Sequence, residues 1–196
     1  MNLYISDTHF GHTNCIRFDH RPFYDREEMD RVMIELWNNR VAPEDDVYIL
    51  GDFAVRNYWD EAWYLRQLVG HKHLVLGNHD DKLLKNKNAM KYFESVDKIM
   101  GVHDYINGEE VVIVLCHYPM AEWYKSKHGS WHIYGHIHGD ASLTARYMAS
   151  IEHSLNAGAV INNYTPASIN ELIRNNEAFR KKHFVFEQRR KNNEIL

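Results

Sequence analysis

Short apolar runs, each closed by a polar string rich in Asp, Asn and His, recur along this chain. Leu3-Tyr4-Ile5 precedes Asp7-Thr8-His9, Val47-Tyr48-Ile49-Leu50 precedes Gly51-Asp52, and Leu74-Val75-Leu76 precedes Gly77-Asn78-His79-Asp80. Val111 to Leu115 precedes Cys116-His117, and Trp131 to Tyr134 precedes Gly135-His136-Ile137-His138. Runs of this length rich in Val, Ile, Leu and Tyr are strand signals. Five strands would thus each carry oxygen or nitrogen donors to one edge of a sheet.

Between the strands the apolar period lengthens. Asp25-Arg26-Glu27-Glu28 reads as a helix N-cap with an acid at the third helical position. Met29, Val32, Met33, Leu36 and Trp37 then form one stripe on a helix that ends near Arg40, before Pro43. A second helix is predicted from about Trp59 to Val69 with Gly70 as its stop, and a weaker one over 81–93. In the second half, Val102 to Ile106 and Val111 to Leu115 flank Asn107-Gly108, a strong hairpin signal. A further strand is predicted around His153 to Ala157, and Pro166, Ser168 and Glu171 open a last helix with Ile169, Leu172 and Ile173 inward. From Arg174 to Leu196 seven Lys or Arg stand against three Glu, the pattern of a solvated helical tail. Strands alternating with helices predict an α/β fold.

At 196 residues the chain suits one domain with a full core. A net charge of -4 argues against general nucleic-acid binding, though not against a local basic patch. Cys15 and Cys116 form no CxxC pair, which fits a reducing, cytoplasmic setting. Cys116 should point into the core, away from His117. No leader is expected ahead of a strand that begins at Asn2, and no apolar run approaches the roughly 18 residues of a membrane span.

The polar strings suit metal-assisted phosphate-ester hydrolysis. That chemistry needs a nucleophile at neutral pH and relief of developing charge, and two cations about 3.5–4 Å apart supply both through a bridging hydroxide. Donors of oxygen and nitrogen without thiolate suit two divalent metal ions of the Mn, Fe, Ni or Zn type. Asp52, alone on its loop, is the candidate bridge. Asp7 and His9 sit two apart on an expected extended strand end, which would point both side chains one way, and His136 and His138 share that spacing. His79 is the candidate general acid, with Asp80 beside it to orient the ring. Each string alone is weak, since a Gly-Asp is usually a turn and Gly-Asn-His-Asp can be a tight loop. Five of them in one order, each after a strand, point to a site.

The ordered set resembles the calcineurin-like metallophosphoesterase superfamily, over about residues 2–138. The resemblance implies a four-layer αββα sandwich of two mixed β-sheets flanked by helices. It also implies a division of ligands: Asp7, His9 and His138 on one metal, Asn78, His117 and His136 on the other, Asp52 bridging, and His79 as acid paired with Asp80. Members acting on phosphoproteins typically carry Gly-Asp-x-Val-Asp-Arg-Gly and Gly-Asn-His-Glu. Here the second string runs Gly51-Asp52-Phe53-Ala54-Val55-Arg56-Asn57 and the third ends in Asp80. The chain looks more like the small stand-alone bacterial or phage-type phosphoesterases, many of which cleave phosphodiesters.

Candidate substrate contacts are Arg56, which could fork onto a phosphate or pair with Asp60, and His12 and Asn14 in the loop after the first ligands. Arg21-Pro22-Phe23 and the segment from Glu122 to Trp131 are candidate pocket walls, with a packed loop favoured for the latter. The expected partner is a small phosphate-ester substrate, a nucleotide among the candidates. The alternatives are a phosphomonoesterase on a nucleotide or phosphoprotein, a mononuclear metal hydrolase, and a scaffold without chemistry. A scaffold should have lost ligands, and here the whole set is present.

Overall fold

Alternate residues of the first strands face different partners. The computed structural model describes residues 1–55 and 58–184. In it, β1 (Asn2–Ile5), β2 (Asp46–Ile49), β3 (His71–Val75) and β4 (Phe93–Asp97) form a parallel sheet in that order. Leu3, Ile5, Val47, Ile49 and Leu74 pack on one face against Met29, Met33 and Trp37 of α2 (Arg26–Arg40) and Tyr64 and Leu65 of α3 (Glu61–Leu65). Tyr4, Leu50 and Val75 point the other way, into a second core shared with Ile113, Leu115, Ile133 and Leu155. A period of two buried on both faces is what a parallel sheet between two layers requires.

The second core is closed by a sheet in the order β5 (Ile99–Ile106), β6 (Glu109–Cys116), β7 (Trp131–Tyr134) and β8 (Ser154–Asn156). β5 and β6 are antiparallel and the other pairs parallel, so only this sheet is mixed. Asn107 (φ 53°) and Gly108 (φ 89°) are both left-handed, as the tight hairpin between β5 and β6 requires. α5 (Leu143–Ala149) and α6 (Ile169–His183) flank this sheet. α6 opens with a capping box between Ser168 and Glu171, and its Ile169 and Leu172 enter the core between the sheets. Two four-stranded sheets flanked by helices are the predicted sandwich. Part of the outer cover of the second sheet is a loop. His132 of β7 is buried beneath it, bonded by the Met120 N–H and stacked near Trp123.

Two helices are shorter than their apolar stripes predict. The helix expected over 59–69 is Glu61–Leu65, because side chains of α2 capture the backbone that would continue it. Asn38 takes the Val69 N–H at 3.0 Å and donates to the Gln67 carbonyl at 2.8 Å, while Trp37 donates to the Val69 carbonyl at 2.9 Å. The helix expected over 81–93 breaks into α4 (Asp81–Lys85) and a 3-10 turn, Ala89–Tyr92, before Phe93 starts β4. There the Asn86 side chain accepts from the Asn88 and Ala89 N–H groups, a local capture that competes with the helix ladder. α1 (Thr13–Phe18) and α5, of six and seven residues, are too short to show a helical period. The tail beyond residue 184 lies outside the described residues. None of the described helices is long and apolar enough to cross a membrane.

Asp30 of α2 is an acid buried in the helical layer. It accepts from the Gly11 N–H at 2.9 Å and the Tyr64 hydroxyl at 2.8 Å. Burial pushes its pKa up to about 6, and those hydrogen bonds offset the rise only in part. The folded value exceeds the unfolded one of about 3.9, so the folded protein holds the extra proton and stability falls as pH climbs between the two. Asp30→Asn keeps the shape and removes the charge. Its stability advantage over the parent should grow between about pH 4 and pH 6 to about 2–3 kcal/mol and stay level above. Urea melts of both metal-free proteins from pH 4 to 8 check this; a difference that does not change with pH would refute it.

Candidate metal centre

The parallel strands all end at one edge, and the candidate residues lie just past those ends. The backbone there is not extended, contrary to the expectation from the Asp7–His9 spacing. Asp7 (φ 54°), His9 (φ 51°), Asp52 (φ 54°), His136 (φ 70°) and His138 (φ 48°) are all left-handed. Such a conformation costs a non-glycine residue about 1–2 kcal/mol and persists only where the surroundings impose it. Here neighbouring loops do so. The Asp7 N–H donates to the Gly51 carbonyl at 3.1 Å and the His9 N–H to the Asp52 carbonyl at 3.0 Å. Ser6 and Thr8 hydroxyls donate to the Leu50 and Phe53 carbonyls, each at 2.7 Å.

Glycines allow the loops to close on one another. A Cβ on Gly51 would lie 2.6 Å from the Gly77 backbone and from His117 Nδ1, and one on Gly135 would collide with Ser6. The glycine in three of the strings is therefore the residue that lets one ligand loop lie against the next.

Two groups of side chains converge. In the first, His138 Nε2 lies 3.2 Å from His9 Nε2 and 3.6 Å from Asp7 Oδ1. In the second, Asn78 Oδ1 lies 3.1 Å from His117 Nε2 and 3.0 Å from His136 Nδ1. Asp52 stands between them. Its Oδ1 accepts the His79 N–H at 2.9 Å, and its Oδ2 lies 3.8 Å from His9 Nε2 and 3.7 Å from His117 Nε2. Asp7, His9 and His138, and again Asp7, Asp52 and His117, are close enough to share an ion.

Donor accounting shows that a cation fits. The Nδ1 of His117 faces the Leu50 carbonyl at 2.7 Å, so that nitrogen carries the proton and Nε2 presents its lone pair to the lone pairs of Asn78 Oδ1. His138 Nδ1 faces the Asp19 carboxylate, which directs its Nε2 lone pair at His9. His9 Nδ1 is buried with no hydrogen-bond partner, and burial, then His138 and Arg21, press its pKa far down, so the ring is neutral. Burial also lifts the Asp7 pKa, partly countered by His138 and His117, and lowers that of His136. A bare ring nitrogen on an amide oxygen, ring nitrogens crowded together and buried acids short of positive charge are the complement of a divalent ion.

His79 belongs to the cluster: its half-exposed ring places Nε2 4.0 Å from Asp52 Oδ2. Asp80 does not orient that ring, contrary to the expectation from its place beside it. Its carboxylate is buried and accepts three backbone N–H groups, of Asp52 (3.0 Å), Phe53 (3.1 Å) and Gly77 (2.7 Å). Burial raises its pKa, and the backbone hydrogen bonds only partly oppose the rise. His12 is brought to the edge, its ring 5.5 Å from that of His9. Asn14 is not: it sits exposed on α1 and makes no hydrogen bond to the cluster among the described residues. Arg56 lies outside the described residues.

Three neighbours take roles that were not anticipated. Asp19 bonds His138. Arg21, expected in a pocket wall, is buried instead, holding Asp19 and the carbonyls of Asp7 and Thr8. Tyr118 lies with its ring 5.1 Å from His117 and 4.7 Å from His136. An aromatic residue directly after a ligand was the available sequence signal for Tyr118; Asp19 and Arg21 had none. Against His136 and His138 opens a cavity of about 380 Å³ walled by Phe18, Asp19, Ile137, Asp140 and Ser142. The segment from Glu122 to Trp131 packs on its own sheet and lines no part of that cavity.

A family model described as calcineurin-like phosphoesterase matches residues 3–140, which contain every residue of the two converging groups. An uncharacterised protein of Methanocaldococcus jannaschii is 31% identical over 172 residues, covering 87% of this chain and 88% of that protein. The gene 66 protein of Mycobacterium phage L5 is 26% identical over 72% of this chain and 79% of its own length. The crystal structure of a protein of unknown function from Aquifex aeolicus is similar with a TM-score of 0.65 at 28% identity, spanning 89% of this chain and 98% of that one.

The Asp80 geometry separates two roles. Asp80→Ala strands three N–H groups at a cost of about 1–3 kcal/mol each. It should therefore lower the unfolding free energy of the metal-free protein by several kcal/mol. His79→Gln, at a half-exposed ring, should change it by less than about 0.5 kcal/mol. Equal stability of the Asp80 variant and the parent in urea would show that the carboxylate does not hold the loops.

Proposed function

The chain belongs to the calcineurin-like phosphoesterase family and is a metal-dependent phosphoesterase, and on that premise we propose that it cleaves a phosphodiester or cyclic phosphate ester at a two-metal site. The observation that carries the two-metal reading is the position of Asp52 Oδ2, 3.8 Å from a ring nitrogen of one group and 3.7 Å from one of the other. Asp7, His9 and His138 would hold one ion, Asn78, His117 and His136 the second, and Asp52 both. Ions of the Mn, Fe, Ni or Zn type, when bound, supply a water acidic enough to attack near neutral pH and positive charge for the phosphoryl oxygens.

The protein's own residues supply the rest. The Asp52 Oδ1–His79 hydrogen bond fixes the loop that carries His79 over the ligand edge. From there the ring can give its proton to the departing oxygen of the ester. The cavity beside His136 and His138 receives the organic part of the substrate. Phe18 offers it an apolar face, and Ser142 and Asp140 offer hydrogen-bonding groups.

The charge of that cavity favours a diester. No Lys or Arg lines it among the described residues, while Asp19 and Asp140 do. Those carboxylates would repel a monoester dianion at the adjoining metal edge more than a diester monoanion. Val55 and Asp80, where phosphoprotein phosphatases typically carry Asp and Glu, point the same way. Metal-loaded protein should turn over bis(p-nitrophenyl) phosphate or a 2′,3′-cyclic nucleotide faster than p-nitrophenyl phosphate, and a phosphopeptide least. Preference for the monoester or the phosphopeptide in that panel would turn the reading to a phosphomonoesterase.

The acid role of His79 has its own signature. General acid catalysis contributes about 10²–10⁴-fold, and only where the leaving group needs the proton. His79→Gln should therefore keep its metal, lose most turnover on an alkyl or nucleoside ester, and lose much less on a nitrophenyl ester. Equal losses on both, at unchanged metal content, would leave His79 as a phosphate-binding group.

A further inference from the structure

We infer that Asp19, seated on Arg21, positions His138 for metal binding and makes the Asp7–His9–His138 half of the centre the tighter half. This rests on the two-group ligand assignment proposed above and adds an order to it: the first ion enters beside Asp7.

The contacts form a closed chain. Both Asp19 oxygens lie on His138 Nδ1, at 2.9 and 2.8 Å. A proton on Nδ1 leaves Nε2 as the donor, aimed between His9 Nε2 and Asp7 Oδ1. Arg21 holds Asp19 by Nε at 3.0 Å and by Nη2 at 2.9 Å. The same guanidinium donates to the carbonyls of Thr8 at 2.8 Å and Asp7 at 2.9 Å. One buried cation thus fixes the partner of His138 and the backbone between Asp7 and His9. All three ligands of this half are held from behind through a single side chain.

The other half is built differently. His117 Nδ1 donates to a neutral carbonyl, that of Leu50 at 2.7 Å. His136 turns Nδ1, rather than Nε2, toward Asn78, and its ring stands at the exposed side of the cluster. Asn78 carries no charge. So the first half has Asp7 and a second carboxylate, Asp19, acting through His138, while the second half, within reach of Asp7 and Asp52, has no carboxylate bonded behind either of its histidines among the described residues. An imidazole that donates to a carboxylate is a stronger and better oriented ligand than one that donates to a carbonyl, and losing such a partner typically costs about 10–100-fold in metal affinity. Asp19 is a positioning residue: it reaches the ion only through His138.

Calorimetric titration of metal-stripped protein with Zn²⁺ tests the inference, comparing the parent with Asp19→Asn, which keeps the shape and one acceptor oxygen but removes the charge. The parent should show two classes of site. The variant should weaken the tighter class by about 10–100-fold and leave the other within about threefold. A second measurement needs no variant. In the ¹⁵N spectrum of the parent's histidines, the first equivalent of Zn²⁺ should shift His9 and His138, and only the second His117 and His136. Two ions bound with the His117 half filling first, or Asp19→Asn retaining both affinities, would overturn the inference while leaving the two-metal reading intact. A single ion per chain at saturation would overturn the two-metal reading and the filling order together.

Discussion

Nitrogen and oxygen side chains from distant strings, held against one another at one edge, are the constraint on which this molecule depends. His9 faces His138 ring nitrogen to ring nitrogen, and His117, whose proton is committed to the Leu50 carbonyl, turns its bare Nε2 on the Asn78 oxygen. Left to themselves these groups would rotate away or find water. They stay because five of the residues that carry the cluster are pinned in left-handed backbone by bonds to neighbouring loops. The backbone strain falls at one edge, where a cation would draw on these donors, as functional sites often arrange.

Two buried charged groups do the pinning. The Asp80 carboxylate gathers N–H groups from the Asp52 loop and the Gly77 turn, tying the second string to the third. The Arg21 guanidinium gathers carbonyls from the first string and, through Asp19, the last histidine of the fifth. Strings far apart in the chain are thereby fixed relative to one another by charge-assisted bonds rather than by packing alone, and such bonds are the stronger kind. The sheets beneath supply the rigid base, with apolar residues buried on both faces of the first sheet.

This arrangement explains why family membership speaks clearly to chemistry and only coarsely to substrate. The matched segment, residues 3–140, holds the whole ligand edge. The walls of the adjoining cavity come partly from outside the strands: Phe18 from the short α1, within that segment, and Ser142 from the cap of α5, past it. Loops and short helices of this kind shape what reaches the metals, whereas the strands decide what the metals rest on.

Much of the site was legible in the sequence, because parallel strands bring their ends to one edge and each string announces itself by following an apolar run. The Asn107-Gly108 hairpin and the Ser168–Glu171 capping box are also local, since each acts on backbone within a few residues of itself. What the sequence did not determine is whatever depends on a partner distant in the chain. Asp19 and His138 are 119 residues apart, and nothing near Asp19 marks it as a partner of that ring. Asp80 looks like the companion of His79 because it is its neighbour, yet its acceptors are committed to N–H groups of Gly77 and, across the edge, of Asp52 and Phe53. The helix after Asp60 stops early because Asn38 and Trp37, on another helix, claim its backbone. Local propensity and periodicity set the elements and the order of the donors; hydrogen bonds between distant loops, which exist only once the sheets have formed, decided how those donors point.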